Sequence, residues 1–472
     1  MNKCNYISIL SCVSASCYAG NAEQRQKPNI IVFIADDAGM DFGCYGNNSI
    51  KTPYIDKLAS DGLRFEKAFL TSPQSSPSRT CIMTGKFAHT TGTEDLHSSI
   101  DSCTRMIPSY LKEAGYRTGV ILKTHWGEYG DRQFDWVDGG KDWYAGKPLN
   151  RNSSAFRGFS DFIRNHQQPF FLWVGFRDPH RPYRNDNAPR QNNPADVTVY
   201  PFHADTVVTR EDYADYYDEI SRMDQQIGLM LSELERQQAM ENTIIIFLSD
   251  NGMPFPRAKG SLYDTGIQTP LIISWNGHIG KGNVHNNGLI SSIDLAPTLL
   301  DIAGIPVPHD MYGKSFVSIL YNSSLPGRKY IYAERNWHDS DEYCRCIRSE
   351  KYKLIFNAYY ELPHGITLDL ASSPTWFALK ELQKSRGLSP AQRPLFACPR
   401  PMIELYDLEH DPYELNNLAD EQSYRETGKK LTQLLLKWQR ETGDRPWWKD
   451  ERRRDHIDRV TGFPAGNLYD FK

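Results

Sequence analysis

The chain has 472 residues, 39% of them hydrophobic and 24% charged, with a formal net charge of −4. That length supports a large core and more than one domain. The composition is that of a globular protein, and the near-balanced charge gives no footprint for nucleic-acid binding.

The first segment, "MNKCNYISILSCVSASCYAGNAEQRQ", places Lys3 before a short apolar-to-small stretch, with Ala19 or Ala22 ahead of a cleavage point. It reads as a secretory signal peptide over residues 1–22 and predicts an exported protein, periplasmic or secreted. The residues before Cys12 and Cys17 fit a lipoprotein anchor poorly, and no later run is long and apolar enough to span a bilayer. Beyond Cys4, Cys12 and Cys17, the cysteines are Cys44, Cys81, Cys103, Cys344, Cys346 and Cys398. They contain no zinc-type pair, and sequence does not assign disulfides among them. Cys81, among apolar neighbours, reads as a small core residue.

Four apolar runs read as strands buried on both faces: "NIIVFIA" (29–35), "RTGVILK" (117–123), "PFFLWVGF" (169–176) and "TIIIFLS" (243–249). Between the last two, Tyr213, Tyr216, Ile220, Met223, Ile227, Met230 and Leu234 recur at helical spacing, predicting a helix from Thr209 to Glu235 with Thr209 and Asp212 as its capping pair. The stretch 184–205, rich in Asn, Pro and Asp, reads as a surface or site-lining loop. After about Tyr330 the texture changes. "CIRSEKYKLIFN" and "IELYDLEHDPYELNNLA" read as strands with turns, "YRETGKKLTQLLLKWQRETG" as an amphipathic helix, and "RRRD" from Arg452 as a solvated helix end or tail. The expectation is an α/β domain over 27–330 with a large, mostly parallel sheet between helices, then a smaller α+β subdomain over 331–472 with an antiparallel sheet.

Each of the four strands runs into polar residues: Asp36-Asp37, Lys123-Thr124-His125, Arg177-Asp178-Pro179-His180 and Asp250-Asn251. Open α/β sheets bind ligands outside the carboxyl ends of their strands, so these four ends predict one crevice. Asp36, Asp37, Asp250 and Asn251 offer only oxygen, which suits Ca²⁺ or Mg²⁺ better than zinc. Alone, Asp36-Asp37 would be a turn or a cap. In "SSPSRTCIMTG" (75–85), Ser76 suits an N-cap, Pro77 the first helical turn and Gly85 the stop. Ser75 is thereby expected just outside a helix N-terminus, where free N–H groups favour an anion, with Arg79 one turn in.

"SSPSRTCIMTG" resembles the signature of the type I sulfatases, in which the first residue is oxidised to formylglycine; Ser75 holds that position. "SRMDQQIGLMLSEL", "SDNGMPFP", "FRDPHRPY", "SPTW" and "ELYDLEHDPYELNNLA" extend the resemblance to the heparan N-sulfatase branch, over nearly the whole chain from about Pro28 to about Trp448. The resemblance implies an alkaline-phosphatase-like fold and one Ca²⁺ on Asp36, Asp37, Ser75, Asp250 and Asn251. It further implies a hydrated formylglycine at Ser75 that attacks sulfur, with Lys123 and Arg79 stabilising charge at the nucleophile. His180 would protonate the leaving group beside Lys259, and His125 would take a proton when sulfate is released. The implied partners are a sulfated saccharide substrate and a maturase acting on Ser75, and the related branch forms homodimers. Two departures stand out: Ser75 replaces the Cys of eukaryotic members, which implies a bacterial Ser-converting maturase, and Lys259 stands where the human-type enzyme carries Arg. His97 and Asp95 in "TEDLHSS" are open between sugar contact and a structural turn, and His89 reads as ordering the loop after Gly85.

Other readings share these motifs. An O-sulfatase on sulfated sugars or aryl sulfates would keep the core. A related phosphatase or phosphodiesterase would use two zinc ions, and the Asp250-Asn251 pair lacks the histidine for that. A non-catalytic sugar-binding protein would keep Ser75 unconverted.

Overall fold

The computed structural model of the protein describes residues 27–138, 149–164, 168–183 and 190–446. The signal peptide expected over 1–22, part of the 184–205 loop and the "RRRD" run lie outside the described residues. Among the described residues, fourteen strands form three sheets. The largest contains β1 (Asn29–Ala35), β2 (Leu63–Phe65), β4 (Arg117–Leu122), β5 (Trp136–Val137), β6 (Phe170–Gly175), β7 (Thr243–Ser249), β8 (Leu271–Trp275) and β9 (Asn283–His285), in the order β5-β4-β6-β1-β7-β8-β2-β9. Neighbours pair in parallel except at β8, which runs antiparallel to both β7 and β2. A two-stranded pairing of β3 (Ala68–Phe69) with β10 (Ile290–Ser291) lies beside it.

The apolar runs work because both faces of this sheet are covered. Along β1, Ile31, Phe33 and Ala35 join one core, and Ile30, Val32 and Ile34 join the other. With period-2 side chains, a strand covered on both faces must be apolar at every position. A helix from Val207 to Arg236 lays Tyr213, Tyr216, Ile220, Met223, Ile227, Met230 and Leu234 on the first core, matching the helical spacing in the sequence. Its cap differs from the expected one. Thr206, not Thr209, caps it, accepting from the Thr209 amide at 3.2 Å. Asp212 is instead recruited by Arg181, with two contacts of 2.8 Å.

The third sheet is antiparallel: β11 (Ile331–Arg335), β12 (Cys344–Arg348), β13 (Tyr352–Asn357) and β14 (Ile403–Asp407) in sequence order. The helix Arg425–Thr442 packs Leu431, Leu435 and Trp438 against it and stops at Gly443, whose φ of 70° is a left-handed C-cap. Cys81 is fully buried in the layer between this sheet and the first, and all six described cysteines are free thiols. Among the described residues no helix is long and apolar enough to cross a membrane.

Candidate active site

The carboxyl ends of β1, β4, β6 and β7 meet at one crevice. The strands are in register, and the Asp36 and Asp250 amides donate to Asp178 O and Ala35 O at 3.1 and 3.2 Å. The backbone there is strained. Of nine described non-glycine residues with positive φ, five belong to this crevice: Asp37, His97, Leu122, His125 and Asp339. Such conformations persist where the surrounding structure over-determines them, and they cluster at functional sites.

The helix Ser75–Thr84 enters from the other side, with all ten residues buried. Gln74, in extended backbone, is its N-cap, so Ser75 is the first helical residue and Pro77 the third. The cap expected at Ser76 is therefore corrected to a position two residues earlier. Ser76 Oγ is occupied by the His97 amide, 2.8 Å away. Gly85, at φ 68°, ends the helix as expected. Ser75 Oγ lies 3.2 Å from Asp36 Oδ1, 3.3 Å from Asn251 Oδ1 and 3.3 Å from Lys123 Nζ. Arg79, completely buried, donates to Asp250 Oδ2 at 2.8 Å and to Lys123 O at 3.3 Å. Gly175 makes room for it: a Cβ there would meet Lys123 O at 2.2 Å and Arg79 Nη1 at 3.0 Å.

Lys123 Nζ is 2.7 Å from each Asp36 oxygen, and Lys259 Nζ is 2.7 Å from Asp37 Oδ2 and from Asp369 Oδ2. Burial pushes the Asp36 carboxyl up, but Lys123, His180, Arg79 and Lys259 outweigh it and hold it well below the usual range. Burial lowers Lys259, yet Asp369 and Asp37 raise it further, so it stays charged. Burial, then Lys123 and His97, press His125 well below the ordinary histidine range. His125 Nε2 faces His97 Nδ1 at 2.7 Å. His180 Nδ1 contacts Arg181 O, and its Nε2 is 3.9 Å from Asp37 Oδ2. Arg181 is clamped by Asp212, which also accepts from Thr375 Oγ1 at 2.6 Å; "DPHRPY" and "SPTW" are thus locked together through the long helix.

Residues 28–305 match the sulfatase family. The chain belongs to that family. Residues 258–390 match the C-terminal region of the N-sulphoglucosamine sulphohydrolases. The human N-sulphoglucosamine sulphohydrolase is 31% identical, over 93% of this chain and 95% of its own. An ulvan-active sulfatase of Formosa agariphila is 29% identical over 89% and 81% of the two chains. A solved structure described as a complex with D-glucosamine-2-N,6-O-disulfate shares the fold, with a TM-score of 0.69 at 23% identity, covering 90% of this chain and 100% of that one.

The sulfatase family uses a calcium ion and a formylglycine, and the residues present fit both. Asp36, Asp37, Asp250 and Asn251 are fully buried, a costly arrangement for three carboxylates without cations. Arg79, Lys123 and Lys259 face those three charges, but Asp369 shares Lys259, so the cluster is one positive charge short and a divalent ion would turn it net positive and match it to an anion. Asn251 Nδ2 is bound to Asp37 Oδ1 at 2.7 Å and to Gly252 O at 3.1 Å, which fixes its Oδ1 on the Ser75 side. Ligand atoms of Asp36, Asp37 and His180 also lie within 4.8 Å of one another.

The crevice opens into a cleft of about 550 Å³. Ser75, Lys123, His125, His180, Lys259 and His97 all line it, and so do His338, Asp339 and Asp369, which the strand-end reading missed. His338 and Asp339 lie in the loop after β11 and Asp369 in the helix Leu368–Ala371, beside a sheet whose strands carried no ligand expectation. The run "NWHDSD" (336–341), dense in His and Asp directly after a strand, was the available signal. His89 is elsewhere, between Glu334 Oε1 and Thr442 Oγ1, both at 2.9 Å.

Proposed function

We propose that the chain is a sulfohydrolase that removes the N-sulfate of an N-sulfoglucosamine unit, using a nucleophile generated at Ser75. The observation that carries this reading is the placement of Ser75 Oγ within 3.3 Å of Asp36, Asn251 and Lys123 at the start of a buried helix. Support for the N-sulfate comes from the similarity to the human N-sulphoglucosamine sulphohydrolase over 93% of this chain.

The free amides of the first turn favour negative charge at Ser75. Formylglycine, once formed there, supplies a hydrated aldehyde oxygen as the attacking group. A divalent cation on Asp36, Asp37, Asp250 and Asn251 supplies Lewis-acid neutralisation of sulfate charge. Lys123 holds the Ser75 oxygen and opposes charge developing on it. Arg79 fixes Asp250. Lys259, kept cationic by Asp37 and Asp369, clamps the sulfate. His180, whose Nδ1–H donates to Arg181 O, would deliver a proton from Nε2 to the departing nitrogen in its imidazolium form. His125, kept neutral by burial and Lys123, accepts a proton as sulfate leaves.

Two measurements test this. The Ser75 peptide from the native host should be lighter by two hydrogens; an unshifted mass sinks the mechanism. The enzyme should release sulfate from N-sulfoglucosamine in preference to 6-O-sulfoglucosamine. Sulfate from the O-sulfated sugar alone would favour an O-sulfatase.

A further inference from the structure

Beyond the groups assigned to sulfate, the cleft is lined by carboxylates. Three carboxylates stand there, and they differ in what remains open. Asp369 is used up: Oδ2 takes Lys259 at 2.7 Å, while Oδ1 accepts from the Leu370 amide at 3.0 Å and from Thr367 Oγ1. Asp131 Oδ1 accepts from Trp126 Nε1 at 3.0 Å. Asp339 is held by one oxygen only. Its Oδ2 accepts from His338 Nδ1 at 2.9 Å and from the Leu368 amide at 3.0 Å, and its Oδ1 takes no hydrogen bond from the described residues.

The pair is rigid and faces the cleft. Asp339 sits at φ 59°, in a turn closed by the His338 amide on Ser340 O at 3.2 Å. Side-chain exposure is 13% for Asp339 and 6% for His338, and both line the cleft. With Nδ1 committed to Asp339, the ring's remaining polar atom is Nε2. One oxygen of Asp339 thus stays open to the cleft, where a hydroxyl can replace water as its donor. A carboxylate oxygen beside an imidazole nitrogen suits vicinal hydroxyls, and it opposes a second sulfate at that place.

We infer that His338 and Asp339 read the hydroxyl face of the sugar that carries the sulfate, and so select a saccharide with free hydroxyls over other sulfates. The inference rests on the sulfohydrolase reading above. Its test compares kcat/KM for N-sulfoglucosamine and for 4-nitrophenyl sulfate in the converted, calcium-loaded enzyme and in Asp339→Asn and His338→Gln. Sites built to bond a hydroxyl lose selectivity steeply when that bond goes, so the saccharide value should fall by about 10²-fold or more. The aryl sulfate, with no hydroxyl to read, should change less than about threefold. Asn at 339 still accepts from Leu368, and if that variant does not fold, His338→Gln gives the answer alone. Equal losses on both substrates, or no loss on either, overturn the inference. A wild type inert on every sulfate removes the sulfohydrolase reading and this inference with it; an active wild type with unaltered variants removes only this one.

Discussion

Two buried arginines show how differently one side chain is used in the two halves of the molecule. Arg345, on β12, forks onto Asp444 at 2.7 and 2.8 Å, and its Nη1 reaches Cys344 O at 2.9 Å and Asn336 Oδ1 at 3.1 Å. Each of its nitrogens has a partner. Arg79, in the helix Ser75–Thr84, is as deeply buried, but its Nη2 has no hydrogen bond among the described residues, with Asp36 Oδ1 3.7 Å away. A buried donor left open is expensive, and native structures keep few of them. Arg345 ties the segment after the last helix to the sheet; Arg79 keeps an unspent donor beside the carboxylates that would hold a cation. One charge is spent on the fold and the other is kept for the site.

The most severe way to test that distinction is Ser75→Ala. Its Oγ makes only long contacts of 3.2 to 3.3 Å, so the folded state should lose little. Sulfate release should fall by about 10⁵-fold, as for loss of a nucleophile. Residual activity near wild type would move the nucleophile elsewhere. Removing the divalent ion with a chelator should lower activity by about 10³-fold, reversibly on adding Ca²⁺. Full activity in the metal-free protein would contradict the oxygen-donor assignment, and restoration by Zn²⁺ alone would favour the phosphodiesterase-type chemistry.

The arginines themselves come next. Arg79→Lys should cost about 10²-fold in kcat/KM, because an ammonium cannot bond Asp250 and Lys123 O as a planar fork does, with a small change in stability. Arg345→Met should do the reverse. It leaves the Asp444 carboxylate without its cation and with only the neutral donors Tyr343 and Gln439, at a cost of about 3 kcal/mol in unfolding free energy, with kcat per folded molecule unchanged. Comparable destabilisation by both variants would erase the contrast.

The sequence showed most of the crevice and little of its outer wall. β1 and β7 coincide with "NIIVFIA" and "TIIIFLS", because strands covered on both faces are apolar throughout and carry a dense signal. The residues proposed to hold the cation were readable because each follows such a strand directly. The start of the helix was misplaced by two residues, since serine and proline suit several positions of a first turn and tertiary contact decides: the His97 amide takes Ser76 Oγ, and Gln74 holds the N-cap position with its side chain on Trp337 O instead of a helix amide. The same competition moved the cap of the long helix, where Arg181 claims Asp212. β8 is as apolar as β7 but antiparallel to it, and nothing local in "LIISW" encodes direction. His338, Asp339 and Asp369 reach the cleft only through the docking of the second sheet, a contact that no local pattern announces.

The smallest effect concerns that docking. His89 lies just after the helix Ser75–Thr84 and bridges Glu334 of β11 and Thr442 of the last helix, joining both sheets. Burial lowers its pKa, but the Glu334 charge and hydrogen bond raise it more, so the folded value stands above the ordinary 6.5. A histidine raised on folding contributes stability that is complete below its unfolded pKa and is lost as pH climbs through the folded value. His89→Gln keeps a polar side chain in the same space while removing the charge. The stability gap between wild type and variant should therefore be about 1 kcal/mol near pH 6 and shrink towards pH 9. Thermal unfolding of both proteins across that window measures it. A gap that stays flat, or that widens as pH rises, would mean that His89 serves there as a neutral hydrogen-bonding spacer and that the charge on Glu334 is balanced by Arg345, 3.8 Å away.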